Sequence, residues 1–286
     1  MAVELVASIT SLRAKLNAAR RSRGALALVP TMGALHAGHR RLIERARREC
    51  PSVVVSIFVN PLQFDRPDDL RQYPSAIEAD LALCDQLGVD FVFAPSVQDM
   101  YPSEPFCRVE VGRLADHLCG RYRPGHFGGV ATVVLKLFEI VQPDRAYFGE
   151  KDAQQLAVIR RLVTDFNVPV QIVGVETVRE ADGLALSSRN RLLGPSERKS
   201  AAALYRALRE AVRQISAGVG DVAIVRARAV AQIPEDPSLR LEYLEVVDPG
   251  DMQPVQTITG PVCVAGALWV GSTRLIDNLS CGPPKS

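Results

Sequence analysis

Two histidines and two glycines lie close together near the start of the chain. His36 and His39 are three residues apart and follow an apolar run that ends at Val29, while the residues behind them show a helical pattern. A helix N-terminus offers unpaired N–H groups that suit a phosphate, and Gly33 and Gly38 would let a ligand approach the backbone. The spacing equally suits a metal site or a helix cap, although no Cys, Glu or third His within the loop completes a metal site.

Two amide side chains follow the next apolar run. Pro61 ends that run and places Asn60 and Gln63 in the loop beyond it. A side-chain amide offers both donors and acceptors, so Gln63 is suited to hold the hydroxyl and carboxylate of a small molecule. Amides are also common in ordinary surface loops, and both interpretations stand at this point.

Positive charges occur in three later loops. Lys151 lies in a Gly-containing strand-to-helix loop, a position suited to a triphosphate, whereas Asp152 and Gln155 have the spacing of a capping box. Residues 187–189, Ser-Ser-Arg, offer two hydroxyls and a bidentate cation on a linker, or form an ordinary solvated turn. The basic loop 121–126 either adds charge near a site or is merely exposed.

The composition is that of an ordinary globular chain. The 286 residues are 47% hydrophobic, and 34 basic against 32 acidic side chains give a net charge of +2, so no global field favours nucleic acid or a membrane as partner. No run approaches 18 apolar residues, and the N-terminus lacks the pattern of a secretory signal. The six cysteines show no metal-ligand spacing, which predicts free thiols in a reducing cytoplasm.

Apolar runs alternate with helical patterns through the first part of the chain. Strands without polar alternation are buried on both faces, so the pattern predicts an α/β fold: a Rossmann-like parallel sheet with ligands at the carboxyl ends of its strands. The predicted strands are 25–29, 53–59, 89–94, 146–148 and 170–175, and the predicted helices lie near 11–21, 39–49, 75–87, 130–141 and 153–165.

The pattern changes after about residue 178. One helical stretch over 196–215 and another near 221–232 precede alternating strands around 240–247 and 262–270. This order predicts a smaller C-terminal α+β domain. We therefore expect a nucleotide-binding domain over 1–177 and a C-terminal lid domain over 178–286, with a hinge at 178–191.

Five segments occur together in the order and spacing of a known family. They resemble the pantoate–β-alanine ligase family, the pantothenate synthetases, within the HxGH nucleotidylyltransferase superfamily, and the resemblance covers nearly the whole chain. The segments are Pro30–His39, Ser56–Phe64, Pro124–Phe127, Phe148–Gln155 and Ser187–Asn190.

The resemblance implies a two-step ligase of pantothenate and coenzyme A biosynthesis. The carboxylate of (R)-pantoate attacks the α-phosphorus of ATP to give pantoyl adenylate and pyrophosphate, and the amine of β-alanine then displaces AMP. Magnesium would arrive with ATP, bound mainly by the phosphates rather than by a protein metal site. The resemblance also implies a cytoplasmic homodimer without nucleic-acid or membrane partners.

The resemblance further implies the site residues. His36, His39, Lys151 and Arg189 are the expected catalytic residues. ATP would be bound by Pro30, Thr31, Met32, Gly33, His36, Gly38, His39, Gly149, Glu150, Lys151, Asp152, Val178, Leu186, Ser187, Ser188 and Arg189. Gln63, Gln155, Asn60 and Tyr73 would bind the other substrates, and Asp80 would lie near the site.

Two other functions compete with this interpretation. Another HxGH nucleotidylyltransferase would adenylylate a small phosphorylated acceptor, but it would need a cationic pocket where the Asn60–Gln63 loop offers neutral amides. The arginine-rich stretch 40–48 would suit an RNA-binding module. Its interleaved apolar residues instead favour an amphipathic helix with a solvated basic face.

Overall fold

The computed structural model describes residues 2–71 and 73–284, which divide into two compact units. The first, here called the sheet unit, contains the residues up to Val111 together with Arg123–Glu150 and Val158–Glu176. The second, the C-terminal unit, contains Gly112–Tyr122, Lys151–Ala157 and the residues from Thr177 onward.

The sheet unit is built on six parallel strands. They are β1 (Glu4–Val6), β2 (Leu26–Thr31), β3 (Ser52–Ile57), β4 (Phe91–Phe93), β5 (Arg145–Gly149) and β6 (Gln171–Val175). Their spatial order is β1, β4, β3, β2, β5, β6. Val53, Val54 and Val55 of β3 have no exposed surface, as expected of a central strand that helices cover on both faces.

Eight helices accompany these strands along the described chain as far as Asp165. They are α1 (Ile9–Arg23), α2 (Ala37–Glu49), α3 (Pro67–Arg71), α4 (Ile77–Gln86), α5 (Val97–Met100), α6 (Leu118–Tyr122), α7 (His126–Val141) and α8 (Ala153–Asp165). The apolar face of α2, formed by Leu42, Ile43 and Ala46, is buried in the core under β2 and β3. This packing fixes where the helix begins, and so where its first-turn histidines lie.

The strand order reverses between β2 and β5. Ala27 of β2 pairs with Val53 of β3 on one side and with Arg145 of β5 on the other. In open α/β sheets, ligands bind outside the carboxyl ends of the strands at such a reversal. Since β2 ends at Thr31 and β5 ends at Gly149, the loops that follow both strands lie at this position.

The C-terminal unit has a three-stranded antiparallel sheet. Its strands are β7 (Leu239–Val247), β8 (Val262–Val270) and β9 (Thr273–Cys281), and its further helices are α9 (Pro195–Ala201), α10 (Ala203–Ser216) and α11 (Val222–Val230). The helix α10 packs on β8 and β9 through Leu204, Ala207, Leu208 and Ala211, all buried. This core gives the residues of β9 fixed positions.

The structure confirms the predicted α/β fold and adds three features. β1 has only three residues and lies at the sheet edge. β9 interrupts its apolar alternation with Asp277 and Asn278, which hides it from pattern analysis. The helical stretch predicted over 196–215 is two helices that meet at Ala202.

Candidate active site

His36 and His39 are bonded to the first turn of α2. Nδ1 of His36 accepts a hydrogen bond from the Gly38 N–H at 3.1 Å, and the His36 N–H donates to Nδ1 of His39 at 3.3 Å. The two ring centroids are 4.2 Å apart. These reciprocal bonds form a capping box, so the two imidazoles do cap the helix, one of the alternatives left open by their spacing.

The same contacts determine which ring nitrogen carries the proton. Each Nδ1 accepts a backbone N–H and is therefore unprotonated, so the neutral form of each ring carries its proton on Nε2. The Nε2 edge of each imidazole is thus a neutral donor beside the N–H groups of a helix start. This arrangement suits the oxygens of a phosphate.

Two glycines are required in this loop. A Cβ on Gly38 would lie 2.8 Å from Cε1 of His36. The His36 ring can therefore lie against the backbone of residue 38 only because this residue has no side chain. Gly33 has a φ of +82°, a conformation that residues with a side chain rarely adopt. The close approach of the His36 ring and the positive φ thus account for Gly38 and Gly33 without a bound ligand.

Asp80 fixes the turn between these glycines. Its carboxylate is 2% exposed and accepts hydrogen bonds from the N–H groups of Ala34 at 2.9 Å and Leu35 at 2.7 Å. A buried carboxylate needs such partners because desolvation is otherwise costly. Asp80 therefore holds the backbone that leads into the two histidines.

Gln63 is oriented by contacts to its side-chain amide. It lies in the 3-10 helix Pro61–Gln63, where its Oε1 accepts from Nδ2 of Asn60 at 3.1 Å and its Nε2 donates to Sδ of Met32 at 3.2 Å. An amide has two N–H groups and two acceptor lone pairs. Among the described residues, these contacts use one donor and one acceptor, which leaves one of each for a small molecule.

Asn60 is saturated by protein partners. Its Nδ2 also donates to the Gly129 carbonyl at 3.1 Å, and its Oδ1 accepts from the Leu62 N–H at 3.3 Å and the Tyr101 hydroxyl at 2.9 Å. Burial raises the pKa of Tyr101 to about 12, so its hydroxyl remains a donor at neutral pH. In this conformation Asn60 orients Gln63 rather than presenting its own amide to a ligand.

The main chain of Gln63 is held by the basic loop 121–126, to whose residues the sequence analysis gave no individual role. Nδ1 of His126 lies 2.8 Å from the Gln63 carbonyl oxygen, and Arg123 donates to the same oxygen at 3.2 Å and to Asp65 at 2.8 Å. Burial raises the pKa of Asp65, but the hydrogen bond from Arg123, the charge of Arg123 and smaller contributions from a backbone hydrogen bond and His126 together bring the pKa below its ordinary value. Arg123 and His126 are positioning residues that sequence reasoning did not assign.

The other predicted residues of the sheet unit lie at the strand ends. Pro30 and Thr31 are the last two residues of β2, and the Thr31 hydroxyl accepts from the Gly33 N–H at 3.1 Å. Gly149 ends β5, and the exposed Glu150 follows it in a 3-10 helix.

Tyr73 lies further along the chain from Gln63. Its ring stands edge-on to that of Phe64, with centroids 5.8 Å apart. Phe64 directly follows the 3-10 helix that carries Gln63. Tyr73 therefore packs beside the amide loop.

A pocket in the C-terminal unit is lined by both predicted cations and by one of the two predicted serines. Lys151, Ser187 and Arg189 all line it, together with Asn190 and Asp277. The Lys151 side chain is 16% exposed, with Nζ 3.9 Å from the Asp152 carboxylate. Ser187 caps a 3-10 helix through a hydrogen bond from the Arg189 N–H at 3.3 Å, so the structure brings these groups together.

The remaining predicted residues of this unit flank the pocket residues along the chain. The Leu186 N–H donates to the Val178 carbonyl at 2.9 Å, which closes a short hairpin immediately before Ser187. Ser188 is the first residue of the 3-10 helix, and Gln155 is half-buried in the first turn of α8.

Two further observations concern partners. Across residues 2–71 and 73–284, no group of three or more His, Cys, Asp or Glu could hold a metal ion, and no helix combines the length and apolarity of a bilayer span.

On α2, Arg40 donates to Glu44 at 2.8 Å and Arg45 pairs with Glu49. These intrahelical pairs are typical of a solvated helix surface.

The parallel sheet with a strand-order reversal, together with donor groups at a helix start, defines an α/β nucleotide-binding protein. The family model for pantoate-beta-alanine ligase matches residues 4–280. The chain therefore belongs to the pantoate-beta-alanine ligase family, which confirms the resemblance seen in the sequence.

Individual relatives agree with this assignment. Pantothenate synthetase from Thermus thermophilus is 48% identical, with a TM-score of 0.91 and coverage of 97% of this chain and 99% of that one. A pantoate-beta-alanine ligase from Francisella tularensis, complexed with beta-gamma ATP and beta-alanine, is 35% identical with a TM-score of 0.81 over 97% of both chains.

A longer relative shows a different organisation. The bifunctional pantoate ligase/cytidylate kinase from Thermosynechococcus vestitus is 56% identical over 253 residues, which is 87% of this chain. The chain spans about half of that relative, 49% of its length.

Proposed function

We propose that this chain condenses (R)-pantoate with β-alanine to form pantothenate, through a pantoyl adenylate, with release of pyrophosphate and AMP. The observation that carries the proposal is the pair of imidazoles at the start of α2, whose Nδ1 atoms accept backbone N–H groups and whose neutral forms are Nε2 donors. Family membership, with a relative complexed with beta-gamma ATP and beta-alanine, supplies the substrate class.

In the first step, a pantoate carboxylate oxygen forms a bond to the α-phosphorus, and the bond from that phosphorus to the bridging oxygen of pyrophosphate breaks. Negative charge shifts onto phosphate oxygens as it does so. His36 and His39 would stabilise this charge as neutral donors, without transferring a proton. In the sheet unit, the residues proposed for ATP are Pro30, Thr31, Met32, Gly33, His36, Gly38, His39, Gly149 and Glu150.

Lys151 and Arg189 are the proposed catalytic cations of the C-terminal unit. A guanidinium can hold two phosphate oxygens at once, and an ammonium acts as a compact point charge. Ser187 and Ser188 would add neutral donors. The ATP residues proposed in this unit are Lys151, Asp152, Val178, Leu186, Ser187, Ser188 and Arg189.

Gln63 is the proposed anchor for pantoate. Its remaining N–H and acceptor lone pair match a carboxylate and a hydroxyl, and its backbone is fixed by Arg123 and His126. Gln155 and Tyr73 are proposed to complete substrate binding. Asn60 would act on the substrate through Gln63, because its own amide is used by protein partners.

In the second step, the β-alanine nitrogen forms a bond to the activated carbonyl carbon, and the bond from that carbon to the AMP oxygen breaks. The nitrogen loses a proton, and AMP leaves with one oxygen from the original pantoate carboxylate. No side-chain nucleophile takes part, because the adenylate already supplies the leaving group.

The remaining parts of the proposal concern the setting of the reaction. Mg²⁺ would be held mainly by ATP phosphates and water rather than by a protein metal site. We also propose a cytoplasmic homodimer without nucleic-acid partners, a nucleotide-binding domain over 1–177 and a lid domain over 178–286. Sedimentation at several concentrations tests the homodimer.

Isotope tracing tests the reaction itself. The protein is incubated with ATP, β-alanine and pantoate labelled with oxygen-18 in its carboxylate, and AMP is analysed by mass spectrometry. Label in AMP is expected from an acyl adenylate. Formation of ADP with labelled inorganic phosphate would indicate an acyl phosphate and overturn the proposal. The alternative, adenylylation of a phosphorylated acceptor, would give an adenylylated product without pantothenate.

A further inference from the structure

Two adjacent residues of β9 bind both chain segments that carry the proposed phosphate-binding groups of the C-terminal unit. Nδ2 of Asn278 donates to the Lys151 carbonyl at 2.8 Å. Asp277 accepts two hydrogen bonds from Arg179, at 2.6 and 3.0 Å. Both are buried: Asp277 is 5% exposed and Asn278 is 9% exposed.

The contact to Arg179 fixes the hairpin that ends at Ser187. Arg179 faces Ala185 across this hairpin, donates to the Gly183 carbonyl at 3.1 Å, and lies 4.4 Å from the ring centroid of Tyr205. A bidentate guanidinium–carboxylate pair has one preferred geometry, so it sets orientation as well as distance. Asp277 therefore fixes the position of the hairpin, and with it the position from which the Ser187–Arg189 segment starts.

The contact to Asn278 acts on the lysine itself. Lys151 belongs to the short 3-10 helix Glu150–Asp152, and holding its carbonyl fixes the backbone from which its side chain extends. Asn278 in turn lies in β9, which pairs with β8 along its whole length. The anchor is thus part of a packed sheet rather than of a loop.

We propose that Asp277 and Asn278 are positioning residues, which hold Lys151 and the Ser187–Arg189 segment at a fixed separation so that both meet the triphosphate in one arrangement. The inference rests on the proposed function and deepens it. Both residues act through others: Asn278 through Lys151, and Asp277 through Arg179 and the hairpin. The proposed effect of either residue does not require contact with the substrate.

A double-mutant cycle tests the route through Lys151. Pantoate-dependent ATP–pyrophosphate exchange is measured for wild type, Asn278→Ala, Lys151→Ala and the double variant. Misplacement of a catalytic group by about 1 Å can cost on the order of 100-fold in rate, and we expect about a tenfold fall in kcat for Asn278→Ala with KM for ATP little changed. In the Lys151→Ala background, Asn278→Ala should have no further effect.

A matched variant separates positioning from general destabilisation. Gln214 is also a buried amide of the C-terminal unit, 1% exposed, and its Nε2 donates within α10 to Glu210. Gln214→Ala should lower the midpoint of urea unfolding as Asn278→Ala does. Its rate of pantoate-dependent ATP–pyrophosphate exchange, measured at urea concentrations where the protein stays folded, should equal that of wild type. For Asp277, Asp277→Glu retains the charge and should restore more activity than Asp277→Ala.

The possible outcomes distinguish the two proposals. If wild type shows no pantoate-dependent exchange, the proposed function fails. If wild type and Lys151→Ala behave as proposed but Asn278→Ala has no effect, or lowers the rate equally with and without Lys151, the positioning role is wrong.

Discussion

The sheet unit and the C-terminal unit hold their ligand-type side chains by different means. In the sheet unit, the side chains of His36 and Gln63 are oriented by neutral contacts, the first to a backbone N–H group and the second to a neighbouring amide. An ion pair, Arg123 with Asp65, supports only the main chain of Gln63. In the C-terminal unit, the hairpin before Ser187 is held by ion pairs, Arg179 with Asp277 and Arg198 with Asp182.

This difference has a physical consequence. Neutral contacts depend little on ionic strength, whereas partly exposed ion pairs weaken as salt screens them or as acid protonates the carboxylate. The side chains of His36 and Gln63 are therefore oriented by hydrogen bonds that salt changes little. In the C-terminal unit, the partly exposed Arg198–Asp182 pair responds to solution conditions, whereas the buried Arg179–Asp277 pair is screened much less.

The largest effect is expected from removing one donor in each unit. His39→Ala and Lys151→Ala should each slow adenylate formation by roughly 100- to 1000-fold, the usual cost of a donor that acts mainly in the transition state. Single-turnover formation of pantoyl adenylate measures this step. Wild-type rates in His39→Ala would show that the catalytic assignment in the sheet unit is wrong.

A smaller effect should follow from a change that keeps both histidines. In Gly38→Ala the new Cβ would displace the His36 ring, which lies 2.8 Å from that position, and we expect a loss of about tenfold to 100-fold in adenylation. Gly260→Ala is the control, since a Cβ there meets no atom within 4 Å. Equal activity of the two variants would contradict the requirement for a fixed His36 ring.

Gln63→Ala should affect binding of one substrate. Hydrogen bonds to a charged group contribute about 1.5 to 3 kcal/mol, so pantoate affinity should fall roughly 10- to 100-fold while ATP affinity is largely kept. Isothermal titration with each ligand measures both. An unchanged pantoate affinity would remove Gln63 from the substrate site.

The central strands were predictable because their residues need no distant partner to be recognised. The run around Val53–Val55 is apolar at every position and is buried on both faces. β9 was not predicted, because Asp277 and Asn278 look like loop residues until Arg179 and Lys151 are seen to pair with them. The central strands of the parallel sheet could thus be predicted from their own residues, whereas β9 could not.

The candidate site shows the same division. The sequence indicated His36 and Gln63 from residue type and position, and it left helix capping open for the histidines. It did not show which imidazole nitrogen faces the backbone. The residues that orient Gln63 were also missed, because Tyr101 acts on Asn60 across 41 positions and His126 acts on Gln63 across 63. Periodicity within a segment carries no information about such contacts.

The smallest effect is expected at Asp182, where the ion-pair support of the C-terminal unit is exposed. The hydrogen bond from Arg198 lowers the pKa of Asp182, so its contribution to stability is fully present above the unfolded-state pKa of about 3.9 and is lost as the pH falls through the lower folded-state value. Since this side chain is 42% exposed, solvent screening limits the contribution to about 0.2 to 1 kcal/mol.

Asp182→Asn should therefore lower the free energy of unfolding slightly at pH 7, and the difference from wild type should shrink as the pH falls below about 4 or as salt is raised. Urea unfolding at pH 7 and pH 3, with and without added salt, measures this. A difference that persists unchanged at pH 3 and in high salt would mean that Asp182 does not act through its ion pair with Arg198. In that case the distinction between the two units would rest on the buried Arg179–Asp277 pair alone.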